Sequence, residues 1–132
     1  MNQLILSLDQ CIDNMFFIKK HIKKGEIVSQ HDIESTWSYL KDTGVVLSLA
    51  TETTASLKYH LTEKKEECVG TMIGQKYKAY QQEISIEIFI KENQALYDMA
   101  VSYSKNLEVL CNNYRSLLSS LKSEKTHSNN GV

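Results

Sequence analysis

Proline is missing from all 132 residues, where a chain of this length usually carries about six. Only five glycines are present. Proline and glycine punctuate loops and break helices, so their scarcity argues against a loop-rich fold and for long uninterrupted helices. Cysteine is sparse as well: Cys11, Cys68 and Cys111 are far apart and odd in number, with no CxxC or Cys/His ligand spacing. That pattern excludes a disulfide framework and a zinc module, and it predicts free thiols in a reducing compartment. No apolar run approaches the roughly 20 residues that span a bilayer. The opening "MNQLILSLDQC" has no basic leader, and Asp9 and Asp13 follow soon after, so no signal peptide is expected. The expectation is a cytoplasmic protein with no membrane partner.

An excess of either charge is also lacking. Lys and Arg number 15 against 16 Asp and Glu, for a net charge of −1. A freely acting nucleic-acid binder is usually basic, so the total argues against that role while leaving local clusters open. Catalytic motifs are absent too. "GTMIG" lacks the Lys-Ser/Thr ending of a phosphate loop, and neither G-x-S-x-G nor HExxH occurs. The four histidines stand apart; His31 near Glu34 reads as solvent-facing rather than as a metal pair. The expectation is no enzyme, no cofactor and no metal.

Helical periodicity is what the chain does have. Over residues 2–24, Leu4, Leu8, Cys11, Met15, Ile18 and Ile22 recur every three or four positions. This helix ends in "KKHIKKGE". Its lysines suit a helix C-terminus with Gly25 as the C′ residue, and a nucleic-acid contact is the other reading of the same cluster. Ser29 with Asp32 resembles a capping box. A second helix is expected over about 31–68, with Ile33, Trp37, Leu40, Leu47, Leu57 and Leu61 as its buried stripe. Gly44 and the β-branched residues around it predict a kink or break near 42–44. "VGTMIG" is the expected interhelical loop.

The third helix, about 76–124, carries the strongest pattern. Ile86, Asn93, Ala100, Leu107, Tyr114 and Leu121 fall at heptad position a, and Phe89, Leu96, Tyr103, Leu110 and Leu117 at d. Ile90, Tyr97, Cys111 and Leu118 add an e row, so the apolar face is wide, as suits a bundle or higher oligomer. Asn93 is either a register-fixing amide or an amide near the exposed start of the seam. The expected oligomer interface is Phe89, Asn93, Leu96, Tyr103, Leu107, Leu110, Tyr114, Leu117 and Leu121. The fold class is therefore all-α: one helical domain over 1–124, with three main helices and a long coiled-coil-like C-terminal helix, in an oligomeric assembly. Residues 125–132 form a polar tail expected to be disordered.

One stretch combines bases and aromatics. "SLKYHLTEKKEE" holds Lys58, Tyr59, His60, Lys64 and Lys65, and "QKYKAY" holds Lys76, Tyr77 and Lys78. Cations along a backbone with rings to stack on bases are what single-stranded nucleic acid needs. The plainer reading is that Tyr77 and Tyr80 begin the third helix's apolar face while Lys76 and Lys78 are solvated.

The order "ASLKYH", a glycine-bearing linker, "QKYKAYQQE" and a long helix ending "LCNNYRSLLSSLKSE" resembles the phage UvsY-type recombination mediators over residues 55–124. The resemblance implies a non-enzymatic helical homo-oligomer that binds single-stranded DNA and helps a RecA-like recombinase displace the single-strand-binding protein. The family's Leu-Lys-x-Arg element would fall on Leu57, Lys58, Tyr59 and His60. Lys58 matches; His60 departs, being mostly neutral at pH 7 where arginine is always charged. Residues 1–50 carry no part of the resemblance. Two other readings stand beside it: a helical assembly or adaptor protein that binds a protein partner through its C-terminal helix, and a small inhibitor or antitoxin-like protein.

Overall fold

The computed structural model describes residues 1–22, 28–72 and 78–130. Three helices account for nearly all of them, and no strand occurs among the described residues. Helix α1 is Asn2–His21, α2 is Gln30–Met72 and α3 is Ala79–Asn130. The lysines at 23 and 24, Gly25, Gly74, Lys76 and Tyr77 lie outside the described residues. Helix α3 runs to Asn130, past the boundary expected near 124, so most of the expected polar tail is helical. Helix α2 runs through the first four residues of the expected "VGTMIG" loop to Met72.

Local chemistry fixes the starts of α2 and α3. The Ser29 N–H donates to Asp32 Oδ2 at 3.1 Å, and the Asp32 N–H donates to Ser29 Oγ at 3.1 Å. This is a reciprocal capping box with aspartate in the usual glutamate place. Asp32 also lies 3.7 Å from His21 Nε2, which brings the end of α1 to the start of α2. Helix α3 opens with the Lys78 N–H donating to Gln81 Oε1 at 3.0 Å.

No break interrupts α2 near 42–44. The β-branched threonines that lower its propensity carry hydroxyls, and these bond back to the preceding turn. Thr36 donates to the Asp32 carbonyl at 2.8 Å, Thr43 to Tyr39 at 2.7 Å and Thr54 to Ala50 at 2.7 Å. Each hydroxyl is thereby satisfied on its own helix, and tertiary packing along α3 overrides the weak local preference.

Helices α2 and α3 form a long antiparallel hairpin. The Lys125 ammonium donates to Gln30 Oε1, the Thr54 and Ser104 hydroxyls meet at 3.2 Å, and Cys68 Sγ reaches the Ser85 carbonyl at 4.0 Å. Helix α1 covers only one end of it. Its residues Leu4, Leu8, Cys11, Met15 and Ile18 are buried against Ile33, Leu40 and Ala50 of α2 and Leu107, Cys111, Tyr114 and Leu118 of α3. At 1.5 Å per residue α1 is about 30 Å long, against about 65 Å for α2. The molecule is thus a three-helix base with a two-helix arm, formed by residues 54–72 and 79–100, that projects beyond the first turn of α1.

The wide α3 face is occupied largely inside the subunit. Leu107, Leu110, Tyr114 and Leu121 are buried in the chain's own core, with Cys111 and Leu118 of the e row, while Tyr103 and Leu117 are half-buried against it. This part of the expected oligomer interface is subunit core, because α1 supplies the covering helix. On α2, Ile33, Leu40 and Leu61 are buried as expected, but Trp37 is exposed, with the Lys41 ammonium 5.8 Å from its ring centroid.

Tyr114 is the centre of the base. It is fully buried, and its hydroxyl donates to the Cys11 carbonyl at 3.0 Å. Burial pushes its phenol above the ordinary 10.0 and, as the largest cause, pushes the Cys11 and Cys111 thiols above 9.0. The core holds all three as neutral groups, so their contribution is whole below those ordinary values and is lost as pH rises past them.

This packing makes the stability of the base measurable at one bond. Tyr114→Phe should lower the unfolding free energy at neutral pH by about 1 kcal/mol. Wild-type stability, measured by urea titration, should fall from about pH 9 upward, and Tyr114→Phe should lose less above about pH 10. Gly44 is helical, and a Cβ added there meets no atom within 4 Å. Gly44→Ala should therefore stabilise by about 0.5–1 kcal/mol and raise the melting temperature.

Candidate interaction surface on the arm

Helix α2 carries the basic-aromatic stretch up the arm and spreads it around its circumference. Lys58 and Lys65 are seven residues apart, so they share a face, and both are exposed. Tyr59 is exposed and lies edge-on to the His60 ring, with centroids 5.9 Å apart. A hydrogen bond to Glu63, reinforced by that carboxylate's charge, raises the Tyr59 phenol above its ordinary value. His60 Nδ1 is 3.4 Å from Glu63 Oε2. Lys64 turns to the other side, where Nζ is 3.4 Å from Glu67 Oε2 and 5.9 Å from the Phe89 ring centroid. Lys78 caps α3 at the arm's tip, about 20 Å along the helix axis from Lys58 at helical rise. The structure therefore gathers Tyr59, His60 and Lys64 with glutamates, pairs Lys58 with Lys65, and leaves Lys78 apart.

Charge decides what this stretch offers. Residues 58–67 contain Lys58, Lys64 and Lys65 against Glu63, Glu66 and Glu67, three of each sign. The exposed ion pairs are worth little in energy, and the equal count leaves the stretch without the net positive charge that draws a phosphate backbone.

The other feature of the arm is apolar. Positions 89, 96, 103, 110 and 117 form one row along α3. In the base that row packs into the clusters that hold α1, through Tyr103, Leu110 and Leu117. Beyond the start of α1 the same row continues as Phe89, 44 % exposed, and Leu96, 37 % exposed. On α2 the row Val46, Thr53, His60 and Glu67 behaves likewise: Val46 packs into the α1 clusters, while His60 and Glu67 line open space. Two hollows of about 550 and 570 Å³ lie there, both lined by Lys64 and Asn93. They are the upward continuation of the seat that α1 fills lower down. Asn93 is half-buried between them and reads as the amide at the open part of the seam.

Heptad spacing on α3 indicated this surface, but not which half of the row is covered. The outward side of α1 was not indicated at all. Leu6, Phe16 and Phe17 are exposed there, and the signal was their position off the stripe of Leu4, Leu8, Cys11, Met15 and Ile18.

Among the described residues no group of His, Cys, Asp and Glu could hold a metal ion, and no helix is long and apolar enough to cross a membrane. Comparison with protein-family models, with curated proteins and with solved structures finds no match.

Proposed function

We propose that this chain is a non-catalytic helical assembly protein that works by self-association through the open face of its arm. One observation carries the reading: the apolar row that α1 covers in the base continues uncovered as Phe89 and Leu96. Ile88 and Met99 are exposed close by on the same helix. Contiguous apolar surface of this kind marks an association site more often than a solvated face. Substitution at Leu107 would not test it, since a charge there is buried in the subunit's own core. Phe89→Ser with Leu96→Ser is the suitable variant. Wild-type protein should scatter light with a mass above the 15.1 kDa of one chain, and the variant should fall to the monomer with unchanged circular dichroism. A wild-type monomer at tens of micromolar would remove the reading.

A second reading is the recombination mediator implied by the resemblance to the UvsY-type family, acting on single-stranded DNA with a RecA-like recombinase and a single-strand-binding protein. It is favoured by the exposed pair Lys58 and Lys65 with Tyr59 exposed beside Lys58. Assembly would multiply so weak a patch by avidity. Fluorescence anisotropy with labelled oligonucleotides at two salt concentrations tests it. Binding should be sequence-tolerant. Lys58→Ala with Lys65→Ala should weaken it and flatten the salt slope by about 0.7 for each phosphate left without a cation. Lys19→Ala with Lys20→Ala is the control and should matter less. Absence of salt-dependent binding leaves the assembly reading alone.

A further inference from the structure

We propose that the recess on the arm is filled by α1 of a second copy of the chain, in an antiparallel pair in which each copy's α1 lies in the other's recess. This rests on the reading of the arm as a self-association surface and names what covers it.

Shape is the first argument. On the side where α1 lies, the base carries α1 as a layer over the hairpin and the arm carries none. Two copies placed antiparallel on that side fit step into step, and the two-fold makes every contact twice. The lengths agree: α1 is about 30 Å long, and residues 54–72 of the arm extend about 28 Å.

The outward side of α1 is the second. A helix covered on one side only should be polar on the other. Here Leu6, Phe16 and Phe17 are 70 %, 62 % and 59 % exposed, opposite the buried stripe.

Register is the third. Helix α1 begins beside Tyr103 and Ala50 and runs away from the arm. A two-fold axis at that level therefore sets its successive turns against the partner's arm from the step toward the tip. Leu6 then comes level with the exposed Leu96. Asp13 comes level with Lys64 and Lys91, which line the recess. Phe16 and Phe17 arrive within a turn of Ile88 and Phe89, which line it too. Lys19 and Lys20 reach the level of Glu83 and Glu87 near the tip, where Glu83 is exposed. Apolar meets apolar at Leu6, Phe16 and Phe17, while Lys64 and Lys91 stand beside Glu63, Glu66, Glu67 and Glu92 in the recess; the apolar pairs therefore carry the affinity, and the Asp13 and Lys19/Lys20 levels set the orientation.

Light scattering and cross-linking test this on the full chain. Wild-type protein should have twice the mass of one chain. Phe17→Asp and Leu96→Asp should each raise the dimer Kd by about tenfold or more, with circular dichroism unchanged because both side chains are exposed in the subunit. Leu6→Cys combined with Leu96→Cys should form a disulfide-linked dimer under mild oxidation; the native Cys11, Cys68 and Cys111 are all buried. Asp13→Lys should weaken the dimer, and adding Lys64→Glu with Lys91→Glu should restore it. If Leu96→Asp dissociates the assembly while Leu6→Asp and Phe17→Asp leave it intact, the arms pair with each other; the inference is then overturned and the assembly reading stands. A wild-type monomer overturns both.

Discussion

A hydrogen bond sealed from water ties α1 to the hairpin, and the shape of the molecule depends on it. The Tyr114 hydroxyl donates to the Cys11 carbonyl at 3.0 Å, and the tyrosine is wholly buried. That carbonyl belongs to the middle of α1, so the bond fixes the helix along its axis as well as across it. Around it, Cys11, Met15 and Ile18 pack against Leu110, Cys111 and Leu118, while Tyr39 lies tilted against the Tyr114 ring at 6.4 Å. A hydroxyl buried without a partner would cost about 1–3 kcal/mol, so the register that satisfies it is favoured over a slipped one. Once α1 is held there, its length determines where cover ends on the hairpin.

That endpoint divides the hairpin physically. In the base, three helices bury large side chains from every element. In the arm, only Leu61, Cys68, Ile90 and Ala100 are buried along two facing helices. Two helices meeting along a single line cannot bury a face three heptad positions wide. The d row is left at the margin, where Phe89 and Leu96 meet water and the Lys64 ammonium lies over the Phe89 ring. A cation–π contact at such an exposed place is worth only about 0.5–1 kcal/mol and does not replace a helix.

Much of this was legible in the residues. The α1 stripe and the capping box at Ser29 and Asp32 follow from spacing, because each is a local rule with a local cause. Gly44 shows where local rules stop. Its low propensity predicted a kink, and α3 packed alongside keeps the helix whole. The α3 heptads showed which residues are apolar-facing but not what faces them, because a seam has the same pattern whether its partner is in the same chain or another. Leu107 and Tyr114 were read as interface for that reason. The basic stretch was legible as composition, but its distribution around the helix was not. Lys58, Lys64 and Lys65 are near in sequence, but 100° per residue distributes them to two sides of a helix and sets glutamates between them.

Charge and apolar surface therefore make different demands on the arm. The lysines alternate with carboxylates and are solvated at little cost, so nothing in their energetics requires a partner. The exposed phenylalanine and leucine differ, since each holds apolar area in water at about 25 cal/mol per Å². They also sit in the row that packs against α1 in the base, with charges of both signs beside it. A base closed by α1 and an arm open along the same groove share one apolar row. The chain has used half of that row to fold, and the half that remains leaves Phe89 and Leu96 in water.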